Sequence, residues 1–209
     1  LKLGLPIGGT VFAEVAIFSG VGLVMSKYPS LVIASHQAAM NFSNLMYAFP
    51  LSISSAMAII ISYEFGARRM DAVKSYSKLG RLTALGFSIF TLIFLYFLRY
   101  DLAELYGHEP DFLRMTAIFM TYSLFFQVAD VFAAPLQGIL RGYKDTKVPF
   151  YLGVLTYWGI TFPVGFLLEK VTGLGPYSYW IGLIASLIVS GLCYQWRLNR
   201  IVKRYESHP

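Results

Sequence analysis

The chain has 209 residues, of which 56% are hydrophobic and only 13% are charged. Soluble domains contain about 25% charged residues, so this composition excludes a disordered protein and disfavours a soluble globular one. The single cysteine, Cys193, excludes a disulfide-rich secreted module. The composition is that of a polytopic membrane protein.

Six stretches of the chain are long and apolar enough to cross a bilayer, which requires about 20 residues each. The second stretch carries no formal charge and contains Pro50. We therefore expect an all-α integral membrane protein with six transmembrane helices. The polar segment 66–78 has helical spacing, and we expect it at the cytoplasmic interface. The expected spans are about 3–26, 31–63, 79–99, 112–140, 148–168 and 177–196.

The net charge of +6 is distributed unevenly between the two sides of the membrane. Six spans place both termini on one side, together with Lys2, Arg68, Arg69, Lys74, Lys78, Arg81, Arg141, Lys144, Lys147, Arg197, Arg200, Lys203 and Arg204. The other side receives Lys27, Arg99, Arg114 and Lys170. Because cytoplasmic loops carry the excess of Lys and Arg, we expect cytoplasmic termini. This topology accounts for the basic charge without a nucleic-acid partner.

Two carboxyl groups lie deep inside expected spans, where an ionised group costs at least ~2.5–3.5 kcal/mol. Glu14 is near the middle of the first span and shares a helix face with Phe18. Asp130 lies eleven residues before Arg141, about 16 Å from the cytoplasmic boundary. We interpret both as candidate sites for a cation or proton. The alternative is a carboxyl neutralised by a hydrogen bond within a packed bundle.

Each of two spans carries a polar stripe with helical spacing. The fourth span presents Ser123, Gln127, Asp130, Ala134, Gln137 and Arg141, which indicates either a water-filled pathway or a polar seam between helices. The second presents Gln37, Asn41, Asn44, Ala48, Ser52 and Ser55, with Tyr47 on its flank. The oxygen atoms of this stripe are of the type that binds a hard cation or contacts a substrate. The alternative is that they form hydrogen bonds between helices.

Other features favour structural roles. The pairs Gly4 with Gly8 and Gly138 with Gly142 are spaced for close helix approach. His36 begins the second span, and we expect it at the outer interface. Metal-spaced His/Cys clusters, Gly-rich phosphate loops and nucleophile elbows are missing from the sequence, so we do not expect an enzyme or a bound organic cofactor.

Four runs of the sequence resemble the multidrug and toxic compound extrusion (MATE) transporters, in particular their bacterial NorM-like branch. These runs are LPIGGTVFAEVAIF, ASHQAAMNFSNLMYAFPLSIS, EFGARR and FFQVADVFAAPLQGILRGYKDTKVPF. The family has twelve spans in two six-helix lobes, and this chain resembles the C-terminal lobe from its first helix to its last. We therefore expect residues 1–209 to be one lobe of a MATE-type transporter whose N-terminal lobe is absent from this sequence.

The resemblance implies an antiporter in the cell (plasma or inner) membrane that exports cationic, often aromatic, drugs in exchange for Na+ or H+. The cation site of the family matches Glu14 and Asp130, which would hold Na+ if that is the coupling ion. Phe18 and Tyr47 match positions where some members place aromatic groups facing the ion or substrate. Phe126 stands where some members have a tyrosine, so one hydroxyl ligand is missing here. The implied partners are the lipid bilayer, the missing lobe and the drugs.

The candidate ion or substrate cavity thus comprises Phe18, Asn41, Asn44, Tyr47, Phe126, Gln127 and Gln137, beside the two carboxyl groups. Two alternatives remain open. A lipid-linked oligosaccharide flippase of the same superfamily would require a large cationic cavity, whereas the deep charges here are acidic. A non-transporting helical assembly module would also suit an isolated lobe.

Overall fold

The protein is described here by a computed structural model that covers residues 4–206, with side chains described for residues 4–205. Within this range the chain forms six α-helices and no strand. Each helix is long and apolar enough to cross a membrane, which confirms the expected all-α membrane fold. The helices are α1 (Gly4–Met25), α2 (Ser30–Gly66), α3 (Met70–Glu104), α4 (Pro110–Gly142), α5 (Lys147–Thr172) and α6 (Tyr177–Glu206).

Several helices extend well beyond the apolar stretch that identifies them. With 37 and 35 residues, α2 and α3 are each more than 50 Å long at ~1.5 Å per residue. The polar segment 66–78 lies mostly in the first turns of α3. Only residues 67–69 separate α3 from α2. Hydropathy identifies the part of a helix that suits lipid, whereas backbone hydrogen bonds continue through polar turns.

Short turns connect the helices, so consecutive helices are antiparallel. Proline and glycine mark several of these turns: Pro29 precedes α2, Pro110 occupies the first turn of α4, and Gly173 ends α5 with a left-handed φ of 66°. Pro lacks the N–H that the first turn does not need, and Gly tolerates positive φ at a helix end. One end of the bundle therefore collects the turns 67–69 and 143–146 with the end of α6, and we call it the basic end.

Helix α4 is the centre of the bundle, because it packs against α2, α3 and α6. A Cβ atom added at Gly138 would overlap the backbone carbonyl of Ser54, and one added at Gly142 would meet Ile61 at 2.6 Å. The second glycine pair therefore permits close approach of α2 and α4, as expected. Within residues 4–206 nothing lies within 4 Å of a Cβ added at Gly4 or Gly8, so the first pair does not have that role here.

His36 is buried, contrary to the expected interfacial position. Only 1% of its surface is exposed, and its Nδ1 accepts a hydrogen bond of 3.2 Å from Trp180 Nε1. The rings of Phe119 and Trp180 pack edge-on against it. Because α2 begins at Ser30, His36 lies about 9 Å inside the helix, where α4 and α6 cover it.

At the opposite end from the basic end, Glu169 ties α5 to α6 and to the turn after α1. Its carboxylate accepts hydrogen bonds from Lys27 Nζ at 2.6 Å, from Tyr179 Oη at 2.6 Å and from Tyr28 Oη. We call these four residues the outer clasp. Burial and the bond to Glu169 raise the pKa of Tyr28 to about 12. Partial burial lowers the pKa of Lys27, but its bonds to Glu169 and Tyr179 outweigh this and raise that pKa overall.

Candidate functional site

A cavity of about 270 Å³ lies among α1, α2, α4, α5 and α6, and both deep carboxyl groups line it. Four of the other predicted site residues, Phe18, Asn44, Tyr47 and Phe126, line the same cavity. The remaining wall consists of Val11, Val15, Ile17, Ser19, Leu51, Tyr157, Leu183, Ser186 and Leu187. The fold therefore brings the acidic groups of α1 and α4 together beside aromatic and amide side chains.

A second, much smaller space of about 10 Å³ is lined by the same two carboxyl groups. Its polar walls come from Glu14, Tyr47, Asp130, Gln137 and Tyr157. Ala133, Ala134 and Tyr194 complete the lining. A single water molecule needs a space of about 10–15 Å³, so this space suits one water-sized species.

Glu14 is held by hydrogen-bond donors from three other helices. Its Oε1 accepts from Gln137 Nε2 at 2.8 Å and from Tyr157 Oη at 3.0 Å. Its Oε2 accepts from Tyr47 Oη at 3.3 Å, a longer and weaker contact. These donors lie on α4, α5 and α2, so the carboxyl group connects α1 to most of the bundle.

A polar chain runs from Glu14 toward the basic end. The Oε1 atom of Gln137 accepts a hydrogen bond of 3.1 Å from Arg141, one turn further along α4. Arg141 also donates a 2.6 Å hydrogen bond to Ser54 Oγ on α2. The guanidinium group is thus separated from the Glu14 carboxyl group by a single amide.

Asp130 has a different environment. Only 7% of the residue is exposed, and its Oδ2 atom has no hydrogen-bond partner within the described part of the chain. Buried polar atoms are rarely left without partners, so this oxygen requires an explanation. No third acidic, histidine or cysteine side chain joins the two carboxyl groups within residues 4–205. Their polar neighbours around the small space are the side chains of Tyr47, Gln137 and Tyr157.

Aromatic rings form the wall of the larger cavity. Phe18 and Phe126 meet edge to face with ring centroids 5.5 Å apart. Behind them, Phe126 packs edge-on against Trp180 at 6.3 Å. Such rings offer flat apolar surfaces and, through their faces, an attraction for organic cations.

Two predicted site residues lie elsewhere. Asn41 is exposed, and its Oδ1 atom accepts a 3.0 Å hydrogen bond from Tyr106 instead of facing the cavity. Gln127 is buried but does not line either of the two spaces. The polar stripe of α4 therefore divides: Asp130 and Gln137 line the small space, whereas Gln127 is buried outside both spaces.

Sequence reasoning missed two contributors to the small space, Tyr157 and Tyr194. Tyr157 lies in the middle of one apolar span and Tyr194 near the end of another, and a buried hydroxyl needs a partner. That signal was present in the sequence, but it does not say which partner. Arg141, predicted as the last member of the polar stripe of the fourth span, is linked to the site through Gln137.

The polar stripe of α2 is exposed, and among its members Asn44 lines the cavity. Gln37, Asn41, Asn44, Ser52 and Ser55 are all exposed. The hydroxyl groups of Ser52 and Ser55 return to carbonyls of their own helix. A row of exposed polar side chains at membrane depth is unfavourable against hydrocarbon, so this surface suits water or protein.

The chain is similar in sequence to known proteins over nearly its whole length. The MatE family profile matches residues 6–167. Over 207 residues the chain is 68% identical to the probable multidrug resistance protein NorM of Streptococcus pneumoniae, covering 99% of this chain and 46% of that protein. The corresponding protein of Bacillus subtilis is 47% identical, with the same coverage. The chain thus spans about half the length of the curated relatives it matches.

Solved structures share the fold. The eukaryotic MATE transporter AtDTX14 superposes with a TM-score of 0.87 at 17% identity, covering 94% of this chain and 44% of that one. An outward-facing MATE family transporter of the MOP superfamily superposes with a TM-score of 0.87 at 15% identity, covering 100% and 47%. With the profile match over most of the chain and six membrane-crossing helices, the protein belongs to the MATE family of multi-pass membrane transporters.

Proposed function

We propose that this chain functions as half of a cation-coupled antiporter that exports organic cations, with Glu14 and Asp130 as the coupling carboxyl groups. The observation that carries this function is the convergence of both carboxyl groups on one water-sized space that adjoins a larger aromatic cavity. Intramembrane carboxyl groups facing a cavity are characteristic of ion and proton pathways.

The two carboxyl groups have different tasks. Glu14 is already engaged by Gln137, Tyr157 and Tyr47, whereas Asp130 Oδ2 has no partner in the described region. Asp130 is therefore the group that takes up the coupling ion, either as a proton or as Na+. For Na+, the oxygens of both carboxyl groups and of the two tyrosines provide the ligand type that hard cations prefer.

Coupling follows from competition for the same negative charge. A cation in the small space neutralises the carboxyl groups, and a positively charged drug in the larger cavity loses its electrostatic attraction. When the ion leaves, the exposed charge and the rings of Phe18 and Phe126 attract the drug. Ion and drug then occupy the protein alternately, which is the requirement for exchange.

A second six-helix lobe completes the transport cavity. The polar face of α2 is exposed beside the cavity opening, and the matched relatives are about twice as long as this chain. A facing lobe would cover this polar surface and enclose the drug between the two halves. The chain alone would then contribute one wall of the pathway.

The decisive experiment measures ethidium efflux from cells that express the full-length protein carrying these residues. Wild type is compared with Asp130→Asn while the Na+ and H+ gradients are collapsed in turn. We expect the substitution to abolish efflux at normal protein level, and efflux by wild type to depend on one of the gradients. Asp145→Asn is the matched control, because Asp145 pairs with Arg197 at the basic end, outside the cavity. Unchanged efflux in Asp130→Asn would remove this residue from coupling.

The same variant distinguishes the two alternative functions. An assembly module predicts no response to ions, whereas coupling predicts that Na+ or a pH step changes tryptophan fluorescence, since Trp180 packs against Phe126 at the cavity wall. Asp130→Asn should abolish that response. A flippase predicts that lipid-linked oligosaccharide competes for the cavity, and the two acidic groups disfavour its anionic diphosphate.

A further inference from the structure

Another water-sized space lies between α1, α4 and α5 at the basic end. Its volume is about 10 Å³, which is enough for one water molecule and too small for an organic cation. Gln137 and Arg141 of α4 form one side of it, and Thr146 forms another from the turn before α5. The remaining lining residues are Ile7, Thr10, Val11 and Pro149. We call this the inner space.

The inner space follows the small space of the two carboxyl groups along α4. Gln137 belongs to the walls of both spaces. Tyr194, which lines the small space, donates a 3.4 Å hydrogen bond to the carbonyl oxygen of Pro149, which lines the inner space. Asp130 and Arg141 are eleven residues, or about 16 Å, apart on α4. The two spaces therefore lie in series between the carboxyl groups and the basic end.

Arg141 places a positive charge in this series. Its Nη2 atom donates to Ser54 Oγ at 2.6 Å and to Gln137 Oε1 at 3.1 Å. Both partners are neutral, so they fix the position of the guanidinium group without cancelling its charge. The Nε atom is buried and has no hydrogen-bond partner within residues 4–205. A cation that left the small space toward the basic end would therefore approach a fixed positive charge.

The charge of Arg141 is opposed most weakly when the ion site is loaded. The carboxylate of Glu14 is linked to the guanidinium group through the amide of Gln137, and its negative charge partly compensates that of Arg141. A cation bound in the small space neutralises the carboxyl groups. The repulsion from Arg141 is then strongest at the moment when a cation could escape toward the basic end.

We infer that Arg141 is an electrostatic barrier that prevents the coupling cation from passing through this lobe to the basic end. The inference rests on the proposed function, because the cation that the barrier confines is the coupling ion. A fixed arginine charge excludes protons and other cations from membrane pores in the same way. Gln137 and Ser54 are positioning residues for this charge.

Such a barrier makes the exchange of ion and drug obligatory. The small space and the larger cavity share the side chains of Glu14, Tyr47, Asp130 and Tyr157. With the route through the inner space closed, the ion enters and leaves by way of the larger cavity, where the drug competes for the same negative charge. An open inner route would let the ion run down its gradient without exporting any drug.

Ion flux in the absence of drug tests the barrier. The full-length protein carrying these residues is reconstituted into liposomes with an inside-negative potential. Entry of radiolabelled Na+, and of protons reported by trapped pyranine, is measured without ethidium. We expect Arg141→Gln to pass the coupling ion at least tenfold faster than wild type, which corresponds to about 1.4 kcal/mol at the barrier. Arg141→Lys keeps the charge and should remain as tight as wild type. Arg200→Gln is the matched control, because Arg200 is exposed on α6 near the same end and lines neither space.

Thr146→Asp tests the same space while Arg141 stays in place. Thr146 lines the inner space, so a carboxylate there would offset the charge of Arg141 and should also raise drug-free flux at least tenfold. Thr146 is the N-cap of α5, a position that favours both Asp and Asn, so the helix should tolerate either residue. Thr146→Asn is therefore the neutral control and should remain tight.

Several outcomes would overturn the inference. Equal flux through Arg141→Lys and Arg141→Gln would mean that the hydrogen bonds of the guanidinium group, and not its charge, close the route. A tight Thr146→Asp variant would remove the inner space from the route. Release of trapped calcein together with the ions would mean general damage to the membrane and no selective route.

A double variant separates this inference from the proposed function. If the ion passes through the carboxyl site, adding Asp130→Asn to Arg141→Gln should reduce the drug-free flux to the wild-type level. Flux that persists in the double variant would contradict the route. Failure of the proposed function would appear in a different measurement, as unchanged ethidium efflux by Asp130→Asn alone.

Discussion

Gln137 donates a hydrogen bond of 2.8 Å to the carboxyl group of Glu14 while accepting one of 3.1 Å from Arg141. The orientation of its amide is therefore set from both sides: the NH2 group must face the carboxylate and the oxygen must face the guanidinium. One neutral side chain of α4 thus positions the acidic group of α1. It also links that group to the guanidinium group of Arg141.

Replacement of Gln137 by leucine tests this positioning role. Glu14 loses a donor and Arg141 an acceptor, and a hydrogen bond to a charged group is worth about 1.5–3 kcal/mol. If that energy is lost from the ion-loaded state, cation-driven efflux falls at least tenfold at about 1.4 kcal/mol per decade. Ethidium efflux, normalised to protein level in the membrane, measures the effect.

Gln127→Leu is the matched control, because it makes the same change on the same helix. The Nε2 atom of Gln127 has no hydrogen-bond partner within the described residues, so replacement by leucine removes an unsatisfied polar group. We expect unchanged efflux and equal or higher thermal stability. If both variants lose efflux equally, Gln137 has no special role in positioning Glu14.

The two tyrosines beside Glu14 should contribute unequally. Tyr157 is 4% exposed and lies 3.0 Å from Oε1, whereas the Tyr47 contact measures 3.3 Å. We expect Tyr157→Phe to raise the concentration of coupling ion needed for half-maximal efflux several times more than Tyr47→Phe. Efflux measured against Na+ concentration and against pH provides the comparison. A larger effect of Tyr47→Phe would contradict the geometry.

Gly138 should be intolerant of even one added carbon. A Cβ atom there would overlap the backbone of Ser54, and backbone cannot move aside as a flexible side chain can. Overpacking of this kind costs about 1–3 kcal/mol, so Gly138→Ala should lower the melting temperature of the purified protein. Gly86→Ala is the control: nothing lies within 4 Å of its added Cβ, and alanine favours the helix by about 0.8–1 kcal/mol. Equal effects of the two changes would rule out close packing at Gly138.

The outer clasp should stabilise the bundle equally at pH 7 and pH 9. The folded-state pKa of Lys27 is raised, so its contribution is complete below the unfolded pKa near 10.4 and is lost only as pH rises through the folded value. Lys27 is 45% exposed in its side chain, so Lys27→Met should cost only about 0.2–1 kcal/mol. Melting temperatures of both proteins at the two pH values check this. A difference that disappears by pH 9 would contradict it.

The sequence by itself was sufficient to predict a membrane protein, its six spans and two carboxyl groups deep within those spans. Hydropathy along the chain is a local property, and a charge inside an apolar run is visible without any knowledge of neighbours. The resemblance of long ordered motifs also identified the family. Each of the following predicted residues lines at least one of the two spaces: Glu14, Phe18, Asn44, Tyr47, Phe126, Asp130 and Gln137.

Only the tertiary structure decided which of these side chains meet. Asn41 and Asn44 lie one turn apart on a polar stripe, yet only Asn44 reaches the cavity. Tyr157 is one tyrosine among many in the sequence, and the packing of α1 on α5 places its hydroxyl on Glu14. The hydrogen bond from Arg81 to Gln195 likewise joins residues more than one hundred positions apart. Helical spacing determines which residues share a face, but the neighbour of that face depends on how the helices pack.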